Sequence, residues 1–192
     1  AIDATNGKGI AYNIFDSEFN FNEAKNLADD ACVAGGAIFT EGKAVGAIKG
    51  SKFTGNNANS SVYPNGGAVK IQFGGDATIE DCTFTKNVAG LTGGAISVQA
   101  KDGADCNVTV DDCTFEGNYA QAGGAISALQ NNGNTNLTVK DSKFYDNVGE
   151  LVGSAIYLDD KTTASISGSE FFGNVADYND AIYTLATLSL AG

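Results

Sequence analysis

A Phe-x-x-Asn motif occurs six times in this chain, at Phe19–Asn22, Phe53–Asn56, Phe84–Asn87, Phe115–Asn118, Phe144–Asn147 and Phe171–Asn174. Successive phenylalanines are 34, 31, 31, 29 and 27 residues apart. A second motif alternates with the first: GGAI from Gly35, GGAV from Gly66, GGAI from Gly93 and Gly123, GSAI from Gly153 and NDAI from Asn179. Self-similarity at a period of roughly 20–50 residues means that one structural unit is stacked on itself.

The columns around each Phe tell which unit. Five residues before it stand Ile14, Ile48, Ile79, Val110, Val139 and Ile166, all β-branched. Two residues before it stand Ser17, Ser51, Cys82, Cys113, Ser142 and Ser169, all small. Ala37, Ala68, Ala95, Ala125, Ala155 and Ala181 form a further column, followed by Ile38, Val69, Ile96, Ile126, Ile156 and Ile182. Short β-branched runs broken by Gly and Asn predict strands. No stretch long enough for a helical repeat has helical periodicity. A sandwich or barrel does not need one residue type at one place in every unit. A coil lying on its neighbour does, because each inward side chain meets its counterpart about 4.8 Å away. Parallel crossovers are overwhelmingly right-handed. The prediction is an all-β, right-handed parallel β-helix of about six coils, one domain over 1–192, open at both ends.

Within that frame the Phe column should form a packed ladder. Asn22, Asn56, Asn87, Asn118, Asn147 and Asn174 should form another, since Asn tolerates left-handed backbone and its amide can bond the local backbone and the next Asn. The Gly pair suits a tight corner with close backbone approach. Longer connections at 23–34 and 57–65 are candidate contact loops, because insertions in a solenoid collect on one face.

The 192 residues carry 11 basic and 23 acidic side chains, a net charge of −12, with no His and, on reading the chain, no Arg. That balance argues against nucleic acid, which needs clustered cations, and against docking on anionic lipid. No apolar run reaches the roughly 18 residues of a membrane span, so no membrane insertion is expected.

Interleaved GGA[I/V] and FxxN repeats resemble those of chlamydial polymorphic outer membrane proteins and of the β-helical adhesin-like surface proteins of bacteria and archaea. The likeness runs from about Tyr12 to Thr184 and implies an extracellular, cell-surface protein that adheres or builds a surface layer. Unlike an autotransporter, the sequence contains no membrane β-barrel segment.

Chemistry-bearing residues are few. Asp81, Asp112 and Asp141 share a column three residues before Phe, with Asp16 in the first coil. Stacked like charges repel unless a cation lies between them. Solvated corner residues, a calcium-bridged ladder and a catalytic carboxylate pair are the three readings, the first favoured. Structural calcium is the one cofactor considered. Cys82 and Cys113 share a column in adjacent coils, within disulfide reach; buried free thiols replacing serine are the alternative, and favoured. Cys32 and Cys106 fall outside the ladder and, if oxidised, would more naturally join neighbouring molecules. An ice-binding face is not expected, because the outward column Glu18, Lys52, Thr83, Thr114, Lys143, Glu170 is irregular. Sequons at Asn59, Asn107 and Asn136 permit glycosylation.

A coil with no cap exposes strand edges and core side chains. Such ends suit either a piece of a longer β-helix or copies stacked end to end. The expectation is a non-enzymatic structural protein that polymerises into a sheath, layer or filament. An adhesin or carbohydrate-binding module, contacting host or cell-wall glycans through the two loops, comes second. A polysaccharide lyase or hydrolase is third.

Overall fold

The computed structural model describes residues 2–5, 9–25, 35–59, 64–178 and 180–192. Their strands form four parallel sheets. Sheet A stacks Ile2–Thr5, Ile38–Glu41, Val69–Gln72, Ile96–Lys101, Ile126–Asn131, Ile156–Leu158 and Ile182–Thr184. Sheet B stacks Ala11–Phe15, Val45–Lys49, Asp76–Glu80, Cys106–Asp111, Thr135–Lys140, Thr162–Ser167 and Thr187–Ala191. Sheet C contains the Phe strands, from Glu18–Asn20 to Glu170–Phe172, and sheet D the strands after each Asn, from Glu23–Lys25 to Val175–Ala176. Among the described residues the strands follow one another in the order A, B, C, D six times, and a seventh strand is then added to A and to B. Among the described residues there is no helix.

Register is strict where the sequence columns require it. Phe84 pairs with Phe53 below and Phe115 above, and Ile79 with Ile48 and Val110. The six Phe rings form one stack with centroids 4.7–4.9 Å apart and planes within 5°. That spacing is the strand spacing of the sheet itself, so the backbone sets it and the rings fill it. The Ala and Ile/Val columns of sheet A and the Ile/Val column of sheet B complete a continuous apolar core.

The corners correct one expectation. The residue in left-handed geometry is not the ladder Asn but the one before it: Phe21, Gly55, Lys86, Gly117, Asp146 and Gly173, all with φ between 52° and 68°. Asn contributes through its side chain. In each inner coil its Oδ1 accepts from the backbone N and the Nδ2 of the Asn below, and its Nδ2 donates to the carbonyl of the Phe below, at 2.8–3.1 Å. The amides of this column therefore stitch each coil to both neighbours inside the core.

The Gly pair behaves as expected, each member for its own reason. The first has positive φ, as at Gly93 (65°). The second stands where coils touch backbone to backbone: a Cβ on Gly94 would lie 2.1 Å from the Gly124 carbonyl oxygen. Ser154 takes that place in the sixth coil, where its Oγ donates to the Asp180 carbonyl at 2.8 Å.

Candidate functional site

The Asp column occupies the corner between sheets B and C. Asp16, Gly50, Asp81, Asp112, Asp141 and Gly168 all have φ between 47° and 61°. Asp and Gly share the column because both tolerate left-handed geometry. The three aspartates point to solvent, and the Asp141 carboxylate leans over the Gly168 backbone, 2.2 Å from where a Cβ would stand. Among the described residues, no group of three or more His, Cys, Asp or Glu side chains converges as a metal site. Asp81, Asp112 and Asp141 stand one above another along the corner, each exposed carboxylate in its own coil. Beside it, Lys49 bridges Glu80 at 2.7 Å and Lys140 bridges Asp111 at 3.2 Å. These pairs are partly exposed and contribute little to stability.

Cys82 and Cys113 lie in the serine column, buried and as free thiols. Cys106 is fully buried at the first position of its sheet B strand, beside Thr135. Burial of this sulfur corrects the expectation that it links molecules, since it cannot reach a neighbour while the strand is in place. Burial also pushes its pKa up. Cys32 lies outside the described residues, as do 26–34 and 60–63 of the two candidate contact loops.

Three further features lie on the outward side of the coils. Lys70 projects from an outward-facing position of sheet A yet is buried, its Nζ 3.0 Å from Ser97 Oγ and 3.3 Å from Gln99 Oε1; nothing in its local pattern distinguishes it from a solvated lysine. A polar hollow of about 280 Å³ lies at the corner between sheets A and B, lined by Asp105, Gln130, Asn132, Asn134 and Lys161 with two glycines. Asp105 Oδ1 accepts there from the backbone N and Nδ2 of Asn134 at 2.7 and 3.0 Å. The outer face of sheet B carries Thr78, Thr109, Thr138, Ser165 and Ser189 in one column, the first four of them six residues before a Phe, while Asn13 and Ala47 hold the same place in the first two coils.

A second hollow lies at the end of the rod. Sheets A and B have one strand more than C and D, so the last half coil overhangs Phe171. The hollow so formed, about 550 Å³, is lined by Ile166, Phe171, Ile182 and Leu190 together with Ser169 and Glu170. Leu190 occupies the inward column above Ile166 but is 63% exposed. The Phe stack and the Asn ladder stop here, at Phe171 and Asn174. What this surface offers is apolar contact, two edge strands and amide groups set at the coil repeat.

A family model described as a right-handed β-helix region matches residues 2–171. No curated protein and no solved structure matches the chain.

Proposed function

Because this chain belongs to the right-handed β-helix family, we propose that it is a non-enzymatic structural protein of the cell exterior, a stiff rod that extends end to end into a sheath, layer or filament. The carrying observation is that like residues stack on like along the rod, Phe on Phe at 4.7–4.9 Å and Asn amide on Asn amide at 2.8–3.0 Å, and that Ile166, Phe171, Ile182 and Leu190 present the same columns to whatever coil comes next. Any next coil meets the same surface, whichever polypeptide supplies it. A coil laid there continues the Phe stack, accepts the Asn174 amide and removes edges that would otherwise invite indiscriminate pairing. Addition of one copy's end to another's opposite end is heterologous and therefore open-ended, producing filaments or hoops. Stacking of like residues gives each junction the bonding of the rod interior. The net charge of −12 keeps rods apart sideways and leaves growth along the axis favoured.

Electron microscopy and sedimentation of the purified 192-residue chain test this reading. Concentration-dependent linear or ring polymers, lost when Leu190 is replaced by Lys, are the expected result. A monomer at every concentration refutes it.

The polar hollow around Asp105 and Asn134 supports the second reading, an adhesin or carbohydrate-binding module like the polymorphic and adhesin-like surface proteins its repeats resemble. Amide and carboxylate groups clustered in an open depression suit a hydroxyl-rich ligand. Glycan-array binding by the monomer, abolished by Asn134→Ala, would favour it.

A further inference from the structure

The serine column between sheets B and C makes one repeated pair of hydrogen bonds. Each hydroxyl donates to the carbonyl two residues earlier, as Ser51 does to Lys49 at 3.0 Å and Ser142 to Lys140 at 2.7 Å. It also accepts the amide of the coil below, as Ser51 does from Ser17 and Ser142 from Cys113, both at 3.1 Å. Cys82 and Cys113 reproduce the pattern with sulfur, placing Sγ 3.1 Å from the carbonyls of Glu80 and Asp111. A thiol is the weaker partner in both roles. Hydrogen bonding therefore does not account for cysteine at these two positions when serine fills the other four.

Cysteine here adds two sulfurs in consecutive coils. Thr83 pairs with Thr114, the next residues along, and Thr114 N donates to the Cys82 carbonyl at 2.9 Å. In-register neighbours in a parallel sheet lie about 4.8 Å apart, inside the Cα range of roughly 4.4–6.8 Å that a disulfide spans. The two thiols already share a hydrogen bond, and that bond together with burial pushes Cys113 up. Both are at most 2% exposed, so the oxidant meets them while the coils are docking, or during local opening.

We propose that Cys82 and Cys113 are joined in the mature protein by a disulfide that staples the third coil to the fourth. Oxidised glutathione, or another low-molecular-weight disulfide of an oxidising compartment, supplies the oxidant. The thiolate of either cysteine attacks it to form a mixed disulfide, releasing one glutathione thiol. The other cysteine then displaces the second, so in the net reaction one S–S bond is made, one is broken, and two protein S–H protons pass to the two glutathione thiols. Cys106, buried at the start of its sheet B strand with no sulfur partner among the described residues, stays reduced.

The reduced, denatured chain is refolded in a glutathione buffer containing equal oxidised and reduced forms, quenched with an alkylating reagent and mapped by mass spectrometry. The expected result is a Cys82–Cys113 cross-linked peptide pair two hydrogens lighter than the reduced pair, and a melting temperature that falls on reduction. The Cys82→Ser/Cys113→Ser chain restores the serine ladder, should fold, and should show no such dependence on reductant. Recovery of both cysteines as alkylated free thiols from folded protein, or their linkage to Cys106 or Cys32 instead, overturns the proposal.

Discussion

Asn118→Ala measures what the interior amide ladder contributes. Asn118 is fully buried. Its Oδ1 accepts from the backbone N and Nδ2 of Asn87, both at 3.0 Å, and its Nδ2 donates to the carbonyl of Phe84 at 3.0 Å and to Asn147 Oδ1 at 2.9 Å. Alanine removes all four bonds. Asn147 Oδ1 keeps the Asn118 backbone amide at 3.1 Å, and Asn87 Nδ2 keeps the Phe53 carbonyl at 3.0 Å. The Asn87 backbone N–H and one Nδ2 proton lose their acceptor in the core. A buried group left unpaired costs about 1–3 kcal/mol, so the two together cost roughly 2–6 kcal/mol. Asn22→Ala is the internal control. Asn22 is half-buried in the first coil, and its side chain makes one ladder bond, Nδ2 to Asn56 Oδ1 at 2.8 Å; its loss should cost about 1 kcal/mol. Guanidinium unfolding followed by circular dichroism reads both. A solenoid is held by nearest-neighbour contacts, so weakening a central junction should also lower the m-value or divide the transition in two. Equal midpoints for the two variants, with unchanged slope, would refute the idea that the ladder holds the coils together.

Other outcomes follow from the same geometry. Phe115→Ala opens a hole between rings stacked at 4.9 and 4.8 Å and should cost about 3–5 kcal/mol in the same unfolding assay. Gly94→Ala would put a Cβ 2.1 Å from the Gly124 carbonyl oxygen and should prevent soluble folding; Gly103→Ala, whose nearest neighbour would be 4.0 Å away at φ 79°, should cost only the left-handed strain of about 1–2 kcal/mol. Tyr12 is buried over Gly46 with its hydroxyl unpartnered among the described residues, and burial pushes its pKa up to about 12. The fold thus favours the neutral phenol: its contribution is intact below pH about 10, where the unfolded chain ionises, and is lost as the pH rises towards about 12. Tyr12→Phe should remove that alkaline loss, roughly 2–3 kcal/mol between the two pH limits, and be neutral or stabilising at pH 7. The Cys82–Cys113 bond closes a loop of about 30 residues and should add about 3–4 kcal/mol to the oxidised chain, measured by unfolding with and without reductant.

The repeats made the architecture legible because stacking at one spacing forces like residues into contact. Phe84 over Phe53 could be inferred from a difference of 31 positions alone. The corners were less legible. Phe21, Gly55, Lys86, Gly117, Asp146 and Gly173 share a backbone conformation but no side-chain chemistry, so no column announced them, and the left-handed role was assigned to the neighbouring Asn instead. Cys106 looked peripheral because its column holds Thr135 and Thr162 in the next two coils, polar residues that disguise an inward position.

By itself the sequence determined the coil, its registry and its Phe, Asn and Gly columns, because each is a local pattern that a fixed strand spacing repeats. Only the tertiary structure decided which residues a coil buries or frees against its neighbours: the sealing of Lys70, the burial of Cys106 and the overhang above Phe171. Those depend on the path of the backbone between strands and on where sheets A and B outrun C and D, quantities that side-chain periodicity does not encode.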